Sequence, residues 1–179
     1  IRGVICGERS ASSITHEWQK VDDIRDHMLY FLENHDEQRI ASDFFAANPW
    51  KGVPGMIVSA LLQQNPVMVY AGQEFGERGM DKEGFSGQDG RSTIFDYWTS
   101  DTVYKGFFNR DALTTDEKKL SLIYHGLLRF CNRAKAVREG LTLDLMYVNH
   151  QRHQFNTHKQ FVFLRKADDE VLLVVANFD

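Results

Sequence analysis

Two apolar runs in this sequence break abruptly into polar residues. Met28-Leu29-Tyr30-Phe31-Leu32 gives way to Glu33-Asn34-His35-Asp36-Glu37-Gln38-Arg39, and Pro66-Val67-Met68-Val69-Tyr70-Ala71 gives way to Gly72-Gln73-Glu74. In the first cluster an ionised Asp36 accepts hydrogen bonds and the neighbouring His35 imidazole donates them, so the pair offers both functions side by side. A structural reading of the same residues is open as well: Asn34 and Asp36 form the polar turn where a strand stops. Arg39 has Glu33, Glu37 and Asp43 as nearby acidic residues, so a scaffold ion pair outweighs a catalytic role. Other constellations lack a necessary part. His150, His153 and His158 are close in sequence, but no cysteine or carboxylate completes a tetrahedral metal set, and a solvated loop is the reading. Gly84, Gly87 and Gly90 are not led into by a strand or followed by a helix start, as a phosphate cradle requires. There is no Gly-x-Ser-x-Gly elbow.

The elements that must position the two clusters follow from hydrophobic patterning. Thr15 can cap a helix to about Asp26, with Trp18, Val21 and Ile24 on one side. Residues 28–32 read as a strand buried on both faces. Pro49 and Pro54 punctuate a loop, Gly55–Gln64 reads as a helix, and Pro66–Ala71 as a second buried strand. Strand, helix and strand joined by short connections predict a βαβ unit with parallel strands, whose ligand chemistry lies at the carboxyl ends. Both polar clusters fall there. From Gly76 to about Leu113 periodicity is lost, and the stretch carries Phe85, Phe95, Tyr97, Trp98, Tyr104, Phe107 and Phe108. So long an aromatic loop points to function. Thr114 or Thr115, with Asp116 and Glu117, opens a helix to about Glu139 whose buried stripe is Leu120, Ile123, Leu127, Cys131 and Ala134. Arg129, Arg133, Lys135 and Arg138 near its end read as a solvated face favoured by the helix dipole, with an anion contact as the alternative. After Gly140 the texture is β: Leu141–Val148, Phe161–Arg165 and Val171–Ala176, the last two joined by a turn at Asp168-Asp169-Glu170.

Composition narrows the partners. The 179 residues carry 21 basic and 25 acidic side chains, a formal charge of −4, and 42% apolar and 12% aromatic residues. Such a balance demotes nucleic acid, and no apolar stretch reaches the roughly 20 residues that cross a bilayer. Cys6 and Cys131 are too few for a disulfide framework and form no metal motif. The chain begins at Ile1 without a methionine or a signal-peptide pattern, so a piece of something longer is expected and the compartment stays open.

The first cluster, with its strand, resembles a short motif of the α-amylase family of glycoside hydrolases. Phe31–Arg39 looks like that family's seventh barrel strand and Pro66–Glu74 like its eighth. The long helix after the aromatic loop and the switch to β after Gly140 are also similar to the family's barrel end and C-terminal domain. The resemblance implies a fold: residues 1–140 as the C-terminal part of a (β/α)8 barrel, and 141–179 as the opening of an all-β sandwich. It also implies roles. Asp36 matches the carboxylate that steadies the transition state, and His35 a sugar-binding histidine. An oxocarbenium-like transition state is electron-poor, and hydrogen bonds that tighten on ring hydroxyls favour the distorted sugar.

Glu74, with Gln73, is similar to the rim of the eighth strand and is expected as structural support there, as is Arg39. Trp98 or Tyr97 could stack on a glucose ring, although loop packing suits an aromatic equally. The family's nucleophile and general acid come from its fourth and fifth strands, whose motifs are not in this sequence. Glu8 is too close to the strand at Met28 to be that acid. The expected activity is therefore that of a parent enzyme: retaining cleavage or transfer of α-linked glucose units in an oligosaccharide or polysaccharide. The segment alone is expected to be inactive and prone to self-association. No cofactor is expected in it; calcium in the parent would be held by earlier segments. Two rivals stand beside this reading: a non-catalytic barrel of the same kind used for sugar binding or protein assembly, and a self-sufficient small α/β interaction domain.

Overall fold

A computed structural model of the chain describes residues 1–81, 88–95 and 98–179. Phe85, Gly84, Gly87 and the sugar-stacking candidate Tyr97 lie outside the described residues. The elements in chain order are α1 (Arg2–Ile5), α2 (Ser13–Lys20), β1 (Tyr30–Phe31), α3 (Gly52–Leu61), β2 (Val67–Met68) and α4 (Asp101–Phe108). They continue with α5 (Thr115–Arg133), α6 (Lys135–Arg138), β3 (Leu141–Asp144), α7 (Met146–Asn149), β4 (Gln160–Ala167) and β5 (Glu170–Asn177). The chain is thus α/β, with β1 beside β2 in one sheet and β3-β4-β5 in another. It divides into two compact units: residues 1–30, 54–68 and 127–179 form the first, and 31–53 and 69–126 the second.

In the first unit, β4 is the central strand of an antiparallel sheet, with Leu143 and Leu173 both opposite Leu164. Alternation along the strands sorts the side chains. Phe161, Phe163, Val174 and Ala176 are buried against Ile14, Val58, Leu61 and Val137, whereas Leu141, Leu143, Val171, Leu173 and Val175 remain exposed. A period of two residues requires this separation of faces. The turn between β4 and β5 is closed by Asp168, whose φ of 48° is left-handed, a conformation aspartate tolerates better than most residues. Its carboxylate is ion-paired with Lys135. Arg165 enters the core fully buried. Its guanidinium donates to the carbonyls of Leu62 (2.8 Å), Ala136 (3.1 Å), Val137 (2.7 Å) and Gly140 (2.7 Å), and to Thr142 Oγ1 at 3.0 Å. Burial pushes its pKa down to about 10, so the cation persists at neutral pH. Gly140 is required there, because a Cβ would lie 2.1 Å from the Ala136 oxygen.

Several expected boundaries shift for local reasons. The two strands that the sequence reads as parallel shrink to two residues each, with Tyr30 N–H donating to Pro66 O at 3.1 Å. Leu29 and Phe31 are exposed rather than buried on both faces; a ladder extends only where a neighbour supplies partners. The first predicted helix stops at Lys20, followed by a turn and a 3-10 segment, Arg25–His27. The predicted helix at Gly55 already begins at Gly52. The aromatic stretch contains α4, which the missing periodicity concealed. The predicted 114–139 helix is cut at Ala134, whose ψ of 116° is extended, and Tyr124 is buried where Ile123 was expected. Its start is as read: Thr114 Oγ1 accepts from Glu117 N–H at 3.2 Å while Glu117 Oε2 accepts from Thr114 N–H at 2.7 Å, a reciprocal capping box. The strand predicted over 141–148 ends at Asp144, because its Oδ1 accepts the Met146 N–H at 2.6 Å and starts α7.

Arg165→Met would leave four buried carbonyls short of a donor. The expected loss is about 3 kcal/mol or more in urea unfolding; a loss below about 1 kcal/mol would show that the carbonyls find other partners.

Candidate active-site face

The site is assembled in the second unit around a buried ion pair. Glu33, immediately after the β1 run, and Arg39, at the far end of the polar cluster, are each 1% exposed. Arg39 Nη1 donates to Glu33 Oε2 at 2.8 Å, and Glu33 Oε1 accepts the Ile40 N–H at 2.6 Å. The loop between them is therefore clamped at its base. The same guanidinium reaches outward to Ser92 Oγ at 2.8 Å, hydrogen-bonds to the Ala71 carbonyl and lies 4.4 Å from the centre of the Tyr70 ring. One side chain thus binds the loop after the first run, the end of the second, and residue 92. Burial pushes the Glu33 carboxyl up, against the opposing pull of Arg39 and the Ile40 N–H. Of the three carboxylates considered for Arg39, Glu33 is the observed partner; Asp43 pairs with Arg78 at 2.7 Å.

Within the clamped loop, Asn34 Oδ1 accepts the N–H groups of Asp36 (3.0 Å) and Glu37 (2.9 Å). This is the polar turn foreseen as the structural reading, and Asn34 makes it. The side chains of His35 and Asp36 then project outward, 53% and 75% exposed, with His35 Nε2 3.5 Å from Asp36 Oδ2. The Asp36 carbonyl accepts from Arg91 Nε at 2.7 Å, and Arg91 is itself paired with Asp89 at 2.8 Å.

Arg91 also lines a cavity of about 220 Å3 together with Arg39, Tyr70, Glu77, Trp98 and Tyr104. His35 and Asp36 are not among its lining residues, so the loop they occupy touches this hollow through the Arg91 contact. Trp98 contributes to the wall, as an aromatic placed for stacking or packing would. Glu77 is buried, with Oε1 accepting the Gly79 N–H at 2.8 Å and Oε2 accepting from Ser100 Oγ.

At the second cluster, Gly72 turns the chain with φ 90°, and a Cβ there would lie 2.8 Å from Val103 and 2.9 Å from Glu77. Glu74 Oε2 accepts the Gly72 N–H at 3.1 Å, and burial pushes its carboxyl up against the pull of nearby N–H groups. Gln73 is buried and donates to the Tyr124 hydroxyl at 3.0 Å. Sequence reasoning did not single out Tyr70, Glu77 or Arg91 as site residues, and it noted Tyr104 only among the aromatics of the 76–113 stretch. Tyr70 was visible as a polar-tipped aromatic at the end of an apolar run; Arg91 and Glu77 had no local signal. Among the described residues no group of three His, Cys, Asp or Glu side chains could hold a metal ion, and no helix is long and apolar enough to cross a membrane.

This α/β chain, with its separate antiparallel sheet, has the fold of solved structures of α-amylase-family glycoside hydrolases. AmyP crystallised with maltotriose superposes at TM-score 0.65 and 15% identity, covering 96% of this chain and 35% of its own. Amy13B from Eubacterium rectale gives 0.61 and 18%, covering 99% and 36%. The trehalulose synthase MutB from Pseudomonas mesoacidophila gives 0.56 and 17%, covering 96% and 38%. The likeness at these identities is one of fold, and the chain spans little more than a third of each of these structures. No protein-family model matches the sequence, and no curated protein is similar to it.

Arg39→Met removes the cation from a buried carboxylate and unties three segments. The expected loss is about 3–5 kcal/mol, read by urea unfolding. A near-neutral result would show that Glu33 is satisfied without it.

Proposed function

We propose that this chain is part of a glycoside hydrolase that acts on α-linked glucans with retention, supplying the seventh and eighth barrel strands and the first strands of a C-terminal sandwich. Residues 1–140 would belong to the barrel and 141–179 to the sandwich. The observation that carries the reading is the fold likeness over nearly the whole chain to α-amylase-family structures, with Asn34-His35-Asp36 starting three residues beyond the end of the first short strand.

In this reading Asp36 steadies the electron-poor transition state by accepting hydrogen bonds from ring hydroxyls that tighten as the sugar flattens. His35, 3.5 Å away, donates to a hydroxyl of the same ring. Asn34, Glu33 and Arg39 position that loop without touching sugar, Glu74 supports the neighbouring turn, and Trp98 offers a face to a glucose ring. The nucleophile and general acid come from strands outside this sequence, so the isolated chain is inactive. Exposed Leu141, Leu143, Val171, Leu173 and Val175 are the face that further sandwich strands cover in the parent, and the face through which the isolated segment self-associates. A calcium ion in the parent would be bound by other segments, and no step here depends on it.

A second reading, a non-catalytic barrel that binds sugar or partner proteins, is favoured by one observation. Asn34 holds a turn that needs no chemistry from Asp36, whose carboxylate is mostly solvated.

The two separate in the full-length protein. Asp36→Asn is expected to lower kcat on maltotriose or starch about a hundredfold or more while leaving thermal stability unchanged, since the side chain is exposed. Undiminished turnover, or no turnover in the unaltered protein, contradicts the catalytic reading.

A further inference from the structure

Asp89-Gly90-Arg91-Ser92 lies along the loop that carries Asp36, and three of its groups grip that loop. The Gly90 carbonyl accepts the Arg39 N–H at 2.7 Å, Ser92 Oγ accepts from Arg39 Nε at 2.8 Å, and Arg91 Nε donates to the Asp36 carbonyl at 2.7 Å. The approach is too close for a side chain at position 90. Gly90 has a φ of 85°, and a Cβ there would lie 2.7 Å from Ser42 Oγ and 3.1 Å from Gln38 Cγ. Its N–H donates to Gly79 O at 3.1 Å, so the strap is tied on its other side as well.

The Arg91 contact falls on the residue whose direction matters. Asn34 Oδ1 accepts the Asp36 N–H at 3.0 Å, which holds the peptide plane before Asp36. That oxygen is an acceptor and has nothing to offer a carbonyl; the plane after Asp36 is held by Arg91. With both flanking planes held, the two soft dihedrals of residue 36 are set, and with them the direction in which its carboxylate leaves the loop. Arg91 is aimed in turn. Asp89 Oδ2 accepts from Nη1 at 2.8 Å and Asp89 Oδ1 accepts the Arg91 N–H at 3.0 Å. Because the guanidinium donors form a rigid planar fork, fixing Nη1 on Asp89 directs Nε at the Asp36 carbonyl.

We propose that Arg91 is a positioning residue for the Asp36 carboxylate, acting through the Asp36 carbonyl and not by touching sugar. This role rests on the catalytic reading of Asp36 given above.

The test is steady-state kinetics of the full-length protein on maltotriose, with Arg91→Met, Arg91→Lys, Asp36→Asn, and Arg91→Met combined with Asp36→Asn. Arg91→Met is expected to lower kcat about tenfold while KM stays within about twofold, the signature of a misdirected reacting group. The thermal midpoint is expected to hold, because the side chain is 39% exposed. Arg91→Lys keeps the charge but not the fork and is expected to be impaired to the same degree. In the Asp36→Asn background, Arg91→Met is expected to cost nothing further, since the group it directs is gone. A raised KM with kcat intact would make Arg91 a sugar contact in the cavity it lines and overturn the proposal. So would a tenfold loss that persists in the Asp36→Asn background, a loss that tracks a lowered thermal midpoint, or full activity in Arg91→Lys. If Asp36→Asn is impaired and Arg91→Met is not, this role alone fails; undiminished turnover in Asp36→Asn overturns the catalytic reading and this role with it.

Discussion

The Arg39–Glu33 pair is the constraint on which the candidate site depends. A carboxylate and a guanidinium withdrawn from water are unfavourable unless every hydrogen-bonding position is used, and here nearly every one is. Glu33 takes Arg39 and the Ile40 N–H; Arg39 takes Glu33, Ser92 and the Ala71 carbonyl and covers the Tyr70 ring. Satisfying these positions fixes the backbone on both sides of residues 34–38. The polar residues in that interval need not support themselves, and Asn34 alone is enough to shape the turn. His35 and Asp36 are thereby free to face outward, which is the condition for binding anything.

The first unit shows the same principle with a different solution. Arg165 pairs with no carboxylate among the described residues and is satisfied by backbone carbonyls just after α3, within α6 and in the α6–β3 connection. Those carbonyls belong to segment ends that ladder hydrogen bonding leaves without donors. One buried cation therefore joins pieces of chain distant in sequence, and Gly140 is the residue that permits the approach.

How much of this was legible in the sequence follows from which forces are local. The capping box at Thr114, the hairpin at Asp168 and the alternation in 160–177 are set by neighbouring residues and were readable. The break at Ala134 was not, because alanine favours helix and only the packing around it makes it extended. Strand lengths at β1 and β2 were overestimated for a related reason: apolar patterning reports what a segment can bury, while the ladder reports which neighbours are paired. At the site, Asp36, His35, Glu74, Trp98 and Arg39 were all singled out beforehand. The partner of Arg39 was narrowed only to three candidates, since choosing Glu33 over Asp43 requires knowing that Arg78 folds back onto Asp43. Arg91, 55 positions from the carbonyl it holds, had no sequence signal at all.

The claim that Asp36 meets sugar is tested most directly by the crystal structure of the full-length protein soaked with maltotriose. The account predicts the Asp36 carboxylate and the His35 imidazole on hydroxyls of one glucose ring, at about 2.6–3.2 Å, with the Asn34 turn and the Arg39–Glu33 pair unmoved. A glucan bound elsewhere, with the Asp36 carboxylate still facing bulk water, would contradict it.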